Sequence, residues 1–490
     1  MKKIIAALIS TLLCVGCDDP IFNFNNDDEV VVMPSNTILY TSTDGKPIVV
    51  NVFALEIDGI ILESNSCEDG IGKLVFNQDI THIPDYIFVS ATNLKTMTLP
   101  NSITAINTGA FESCSSLESI ELSENLTHIA DLAFSNCASL TSITLPESLE
   151  SVAPNAFPNC TRLAEFKGKY ASEDGRAIII GDTLVAFAPA STTSYIIPEH
   201  VTTLGVASFH TCHNLREVVL HDNVTTIESM AFEACSSLNS INLPNSLITI
   251  GEAAFASCSS LENIVIPESV ESIGIAAYTN CSNIESFTGK FTSEDNRCLI
   301  INDVMIAFAP SNLTTYTIPN GVTHIGQCTF RGAHQLKSIW LPDSLIEIGD
   351  MAFNPCGNLA DIHFGNGVKV IGKWAFFSCH SLEEITISDS VTTINTYAFS
   401  SCDNLKVVTI GSSVEVLSGS FSSNPHLHTI YCRPSNPPTI SNGNDGYCGD
   451  FAECSPDLAI YVPESSITEY KEHALWSIYS DIIHGYNFAD

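Results

Sequence analysis

Ten of the 18 cysteines recur at one spacing, three residues after a Phe or Tyr: Cys114, Cys137, Cys160, Cys212, Cys235, Cys258, Cys281, Cys356, Cys379 and Cys402. Such a series invites a disulfide or metal reading. Stacked copies would set neighbouring cysteines about 5 Å apart, a permissible Cα separation for a disulfide. Their Cβ vectors would run parallel rather than converge, so the spacing predicts buried free thiols acting as small apolar spacers. Ala91 and Ala333 hold the same position, as a spacer role permits, whereas Asn424 fits it less well. Cys448 and Cys454, in a loop-like stretch, are the disulfide candidates.

The other chemistry-bearing groups are sparse. Zinc requires close ligand pairs converging on one point, and the nearest approach is His210, Cys212 and His213. Cys212 belongs to the cysteine series and both histidines take surface-type positions, so a solvated pair is expected, with no metal and no cofactor. Ser172-Glu173-Asp174 and Ser293-Glu294-Asp295 could be half a calcium site. The alternating oxygen ligands of a calcium loop are absent, and a turn before a strand is the better reading. The chain has no G-x-S-x-G elbow, phosphate loop or H-E-x-x-H, and no glycosidase carboxylate pair can be picked out among 55 acids. The expectation is a protein that is not an enzyme.

The elements that carry these residues follow from a repeat. Leu94, Leu117, Leu140 and Leu163 are 23 residues apart and open one pattern, L-x-x-I-x-L-P-x-S-L-x-x-I-x-x-x-A-F-x-x-C-x-x. It returns at Leu215, Leu238, Leu261 and Ile284, again at Leu336, Leu359, Leu382 and Leu405, and weakly at Ile71, for thirteen copies. In L-x-x-I-x-L the second and third apolar residues are two apart, so a strand puts both on one face. The proline that follows, as in Leu99-Pro100, ends the strand because it cannot donate to a ladder. A second apolar pair, such as Leu247 and Ile250, suggests an extended run on the opposite wall, and Ala254-Phe255 a short helical return. One copy has too few apolar groups to fold alone, whereas stacked coils share a core.

Leu163 to Leu215 and Ile284 to Leu336 each span 52 residues, carrying a 29-residue insertion (about 167–195 and 288–316) that reads as a hairpin. Both ends need caps. A hairpin of Ile38–Thr41 with Ile48–Val50 is expected in a cap over 37–70, ahead of the repeats at 71–426. A final strand, Ala459–Pro463, and a helix opened by a Ser466/Glu469 capping box are expected in a cap over 427–490.

At the start, Lys2 and Lys3 precede the apolar run Ile4 to Val15, too short to span a bilayer, so residues 1–16 read as a signal peptide. Gly16-Cys17 resembles a bacterial lipoprotein signal, which implies lipid on Cys17. Asp18 and Asp19 resemble the surface-export signal of Bacteroidota lipoproteins, and 17–36 reads as an acidic tether. The alternative is ordinary secretion with a free Cys17.

The 23-residue pattern, with its Ala-Phe-x-x-Cys segment, resembles the BspA-like leucine-rich repeat family. The resemblance implies a mainly β, right-handed leucine-rich repeat solenoid with a parallel sheet and short helical turns. It also implies an adhesin-like protein of the bacterial surface, held at the outer membrane through its lipid anchor. Extracellular-matrix or other host surface proteins are the implied candidate ligands. A net charge of −36 repels polyanions, and nucleic acid is not expected as a partner.

Within the strands, residues two and four after the first Leu face outward. Most are small or polar, but Trp340 is a large aromatic beside His363 one copy on. Together with Asp361, Glu384 and Tyr431 it forms the expected ligand-binding set. Coverage of Trp340 by the neighbouring insertion is the competing expectation. Trp340 or Tyr431 stacking on a sugar ring is the glycan-binding alternative.

Overall fold

The structure is a computed structural model that describes residues 33–57, 59–68, 70–440 and 449–488. The expected signal peptide, the lipidation site at Cys17, most of the tether, and Cys448 lie outside these residues. The chain divides into two compact units, Met1–Ile180 with Leu184–Ser191, and Gly181–Thr183 with Thr192–Asp490. Each is a stack of coils with a parallel front sheet and a parallel back sheet.

In the first unit, β1 (Thr37–Ser42), β2 (Leu62–Glu68) and β3 (Ile71–Phe76) form the cap, with a short helix α1 (Val52–Glu56) between the first two. β1 lies antiparallel between β3 and the first repeat strand, Leu94–Thr98, so it occupies the edge that an open coil would expose. The expected hairpin is corrected here: Ile48–Val50 forms no strand, and β2 pairs with β3 instead. The copy opening at Ile71 is therefore mixed. Its first half is antiparallel cap, whereas its second half, His82–Ile83, joins the parallel back sheet through Ala105–Ile106. Beyond the cap, Thr96, Met97 and Thr98 pair with Ser119, Ile120 and Glu121, an offset of one repeat.

The second unit repeats the scheme. Ser194–Ile196, Glu217–Val219 and Ser240–Ile241 pair in parallel at the front, and Thr203–Leu204, Thr226–Ile227, Thr249–Ile250 and Ser272–Ile273 at the back. Its insertion contains the hairpin Cys298–Ile301 with Val304–Phe308. It also supplies the front strand Thr315–Thr317, which pairs with Ser338–Trp340, so each 52-residue copy carries material for a second front strand. The two Ser-Glu-Asp segments are turns. Ser172 Oγ donates to Asp174 at 2.6 Å and Asp174 accepts the Arg176 N–H at 2.9 Å; Ser293, Asp295 and Arg297 repeat the arrangement at 2.6 and 3.0 Å.

At the far end, Ala459–Pro463 and Ile483–Tyr486 extend the front sheet in parallel. The helix there is short, Ile467–Glu472, and Ser466 makes no side-chain cap, because a 3-10 turn, Glu464–Ser466, leads into it. The cap is fixed from within: buried Trp476 donates Nε1–H to Pro438 O at 2.7 Å, and Tyr470 donates its hydroxyl to Pro434 O at 2.9 Å.

The return segment is a run of turns in place of the expected helix. Alternate N–H groups serve different partners: Gly109, Phe111 and Ser113 donate to Asp131, Ala133 and Ser135 of the next coil at 3.0, 2.8 and 2.7 Å. Ala110, Glu112 and Cys114 close local turns three residues back. Two residues of most returns adopt left-handed backbone, for example Leu132 and Asn136 at φ of +56° and +57°, whereas the return at Met351 has one, with Pro355 at the second position. Inter-coil hydrogen bonding holds a conformation that non-glycine residues otherwise avoid.

Inside the returns runs an aromatic ladder. In the first unit Phe88, Phe111, Phe134 and Phe157 stack at 5.2–5.3 Å between ring centroids. Phe209, Phe232, Phe255 and Tyr278 do so in the second, at 5.0–5.3 Å. The cysteine column lies beside it, and every cysteine among the described residues is a free thiol. The thiols do more than fill space. Cys137 Sγ donates to Phe111 O at 3.2 Å and Cys258 Sγ to Phe232 O at 3.0 Å, each reaching back 26 residues to the preceding coil. That preference explains Asn424 in the column: its Nδ2 donates to Phe399 O and Phe421 O at 2.9 and 2.8 Å, and its Oδ1 accepts the Cys402 N–H at 2.8 Å.

The Tyr278 hydroxyl is buried with no hydrogen-bond partner among the described residues, a state that costs about 1–3 kcal/mol. Tyr278→Phe should therefore raise stability by about that amount in urea titration; a loss would show that the hydroxyl is satisfied. Burial pushes the thiols of Cys114, Cys160 and Cys281 up to about 12 from an ordinary 9.0. Between those values the unfolded chain binds fewer protons than the folded one. The stability contributed by the protonated thiols is complete below about pH 9 and falls by up to about 1.4 kcal/mol per pH unit per thiol towards 12. Urea midpoints at pH 7.5 and 10.5 should differ in that direction, and a thiol reagent should modify the column only as the protein unfolds. Rapid labelling of the folded protein would contradict it.

Candidate functional site

The front sheet of the second unit positions the expected residues because strand alternation sends Ile339 inward and Ser338 and Trp340 outward. Trp340 pairs in register with Thr317 on one side and His363 on the other. Its side chain is 40 % exposed, and its ring stacks on His363 at 4.5 Å between centroids, 13° from parallel. Asp361, on the same strand as His363, accepts a hydrogen bond from Ser338 Oγ at 3.1 Å. Glu384 is exposed on the outward face of Glu384–Thr386. Trp340, His363 and Asp361 thus share neighbouring paired strands, with Glu384 on the next copy.

Tyr431 belongs to a different cluster on the last strands. It pairs in register with Tyr461, which pairs with His484. Tyr431 stacks on Tyr461 at 5.4 Å and lies 5.1 Å from Tyr486, which is 4.9 Å from Phe488. The sequence reading missed Tyr461, His484, Tyr486 and Phe488 as surface groups. The alternation in Ala459–Pro463 could have shown Tyr461. Ile483–Tyr486 was hidden because it lies outside the repeat.

The remaining candidates lie at and beside the cysteine column. His210 is half-buried, with Nε2 3.7 Å from the Glu233 carboxylate, and loss of hydration pushes its pKa down while Glu233 partly opposes this. It is less solvated than expected. Cys212 is buried in the column, and His213 Nδ1 meets Ser236 Oγ at 3.3 Å. Among the described residues no cluster of His, Cys, Asp and Glu could hold a metal ion. A shallow, open hollow of about 390 Å³ beside the insertion hairpin is lined by His324, Gln327, Glu347 and Asp350. His324 Nε2 lies 3.9 Å from Glu347 there, with no hydroxyl or thiol nucleophile in the lining.

Six copies of a BspA type leucine rich repeat region match residues 65–172, 180–297 and 305–428. No curated protein matches the sequence. Among solved structures, a leucine-rich cell surface protein from Faecalibacterium prausnitzii is similar at 23 % identity over 82 % of this chain and 95 % of that one, with a TM-score of 0.46. A leucine-rich repeat protein from Bacteroides ovatus is similar at 22 % identity over 81 % and 90 %, TM-score 0.36. The pneumococcal vaccine antigen PcpA is similar at 18 % over 86 % and 87 %, TM-score 0.43.

The terminal aromatic cluster makes its own prediction. A double-mutant cycle on Tyr431→Ala and Tyr461→Ala should return a coupling of about 0.5–1.5 kcal/mol in chemical denaturation, the usual worth of an aromatic pair. Additive effects would mean that the rings touch without stabilising one another.

Proposed function

The chain belongs to the BspA-type leucine-rich repeat family, and from that premise we propose that it is a non-catalytic, adhesin-like interaction protein of the cell surface, held at the outer membrane through lipid on Cys17. It offers the outward front-sheet face around Trp340 to a protein partner, with host surface and extracellular-matrix proteins as candidates. The observation that carries this is the exposed Trp340–His363 stack. Large aromatics are enriched at the energetic centres of protein interfaces, and this one stands on rigid paired strands, so little ordering cost opposes binding. Exposed Asp361 and Glu384 nearby, in a chain with 55 acids and 19 bases, suit a partner whose contact surface carries Lys and Arg.

Glycan binding is the second reading, supported by the Tyr431, Tyr461 and Tyr486 rings gathered on one outward face. A pull-down with the chain from Asp18 onward, against mucus, matrix proteins and polysaccharides, separates the two. A captured protein should lose at least tenfold in affinity with Trp340→Ala, and bind more weakly as salt rises. A captured polysaccharide should instead depend on Tyr431 and Tyr461. Unchanged protein binding by Trp340→Ala would remove Trp340 from the interface.

A further inference from the structure

In the N-terminal cap, Val49, Val52, Phe53, Ile57 and Ile61 are 63, 48, 74, 87 and 61 % exposed. They are five large apolar side chains within thirteen residues, on and around α1. The same segment sends Ile48, Leu55 and Ile60 inward to 3, 2 and 5 % exposure. Its folding role is thus filled by the inward set, and the outward set is surplus to it. We infer that this outer face of the cap is a membrane-seating surface, which enters a leaflet of zwitterionic lipid and holds the first unit against the bilayer.

The occupant follows from where the preceding chain enters. The Phe76 N–H donates to Asn36 O at 2.9 Å, and the adjoining Asn77 N–H to Ile61 O at 3.0 Å. Ile61 thus lies one strand away from the point at which the chain arrives from Cys17. The fifteen residues 18–32 span at most about 50 Å even when fully extended. The inference rests on the proposed lipidation of Cys17, which would keep the patch at a high effective concentration beside lipid. A lipid chain together with a second weak contact is a recognised way to fix a protein at a membrane.

Charge selects the lipid. Residues 48–68 contain no Lys or Arg, and exposed Glu56 and Glu63, each within two residues of a patch member, outnumber the one nearby base, exposed Lys46, so the local charge disfavours anionic headgroups. A second protein copy is the weaker fit, because stable interfaces involve about 20–30 residues a side.

The test uses the chain from Asp18 onward, which retains every described residue, with an N-terminal His tag bound to chelator lipid in phosphatidylcholine vesicles. Phe53→Trp reports contact with brominated acyl chains. The expected result is at least a twofold loss of its emission, with no such loss in the unsubstituted chain, whose Trp340, Trp374 and Trp476 belong to the other unit. Adding Ile57→Asp should abolish the quenching without moving the melting temperature. Emission of Phe53→Trp that is indifferent to bromine would overturn the inference, as would dimers that dissociate on Phe53→Asp while quenching is absent. The tag replaces the native anchor, so this result is independent of acylation. Acylation is read separately, from the mass of the full chain recovered from membranes. Unmodified Cys17 with quenching retained would remove the anchor and leave the patch as a lipid-seeking surface.

Discussion

The structure depends on coil-to-coil registration of the backbone. A coil of 23 residues cannot enclose a core, so its apolar groups are buried only when the next coil lies directly over them. Parallel pairing of Ile106 with Ile129 at the back and Met97 with Ile120 at the front sets that overlap on two walls. The turns set it on the third, where every second N–H crosses to the neighbouring coil. This third wall is the demanding one. It requires left-handed backbone at residues as bulky as Leu132, Met230 and Trp374, and the inter-coil hydrogen bonds stabilise what local preference opposes.

The same registration explains the column. A Phe, or Tyr278 in one copy, is followed three residues later in most returns by a small side chain, typically a cysteine whose thiol donates to the preceding coil's aromatic-residue carbonyl. Cysteine fits that space and also donates, weakly, to the carbonyl. Serine would place a stronger and less tolerant polar group in an apolar shaft, and alanine donates nothing. Asn424 shows what happens when the period is broken. The last copy is one residue short, and there a longer side chain bridges Phe399 O and the Cys402 N–H.

Much of this was legible in the residues. The period, the inward Leu, Ile and Phe, and the parallel pairing offset of one repeat follow from spacing alone, as does the failure of ten aligned cysteines to form disulfides. The turn nature of Ser172-Glu173-Asp174 was also readable. Three features were not. Strand direction is not written in an apolar alternation, so Ile71–Phe76 could match the repeat and still run antiparallel to β1 within the cap. The left-handed positions of the returns carry residue types from Ser, Asn and Ala to Leu, Met and Trp, with glycine at only a few such as Gly109 and Gly332, since tertiary hydrogen bonds decide them. Ser466 and Glu469 have capping-box spacing, but the preceding 3-10 turn removes the geometry it needs. Of the candidate site, Trp340 and His363 were visible because they break a small, polar pattern at a known position, whereas the rings around Tyr431 lie partly beyond the repeat.

That contrast bears on where such a scaffold can acquire specificity. Inward positions are held by registration: a changed Leu or Phe disturbs the coils on both sides. Outward positions on the sheet are free of that demand, because their neighbours along the stack are only other outward residues. A large aromatic there contributes little to the core, and Trp340 at 40 % exposure keeps a costly apolar surface in water, with its ring stacked on His363. The ends obey different rules again. A cap must bury one face and present the other to whatever lies beyond the stack, so its outer face carries the least structural constraint. The exposed Phe53 and Ile57 of one cap and the Tyr461–Tyr486 cluster of the other stand where the repeat stops dictating the residue, and recognition chemistry has room there.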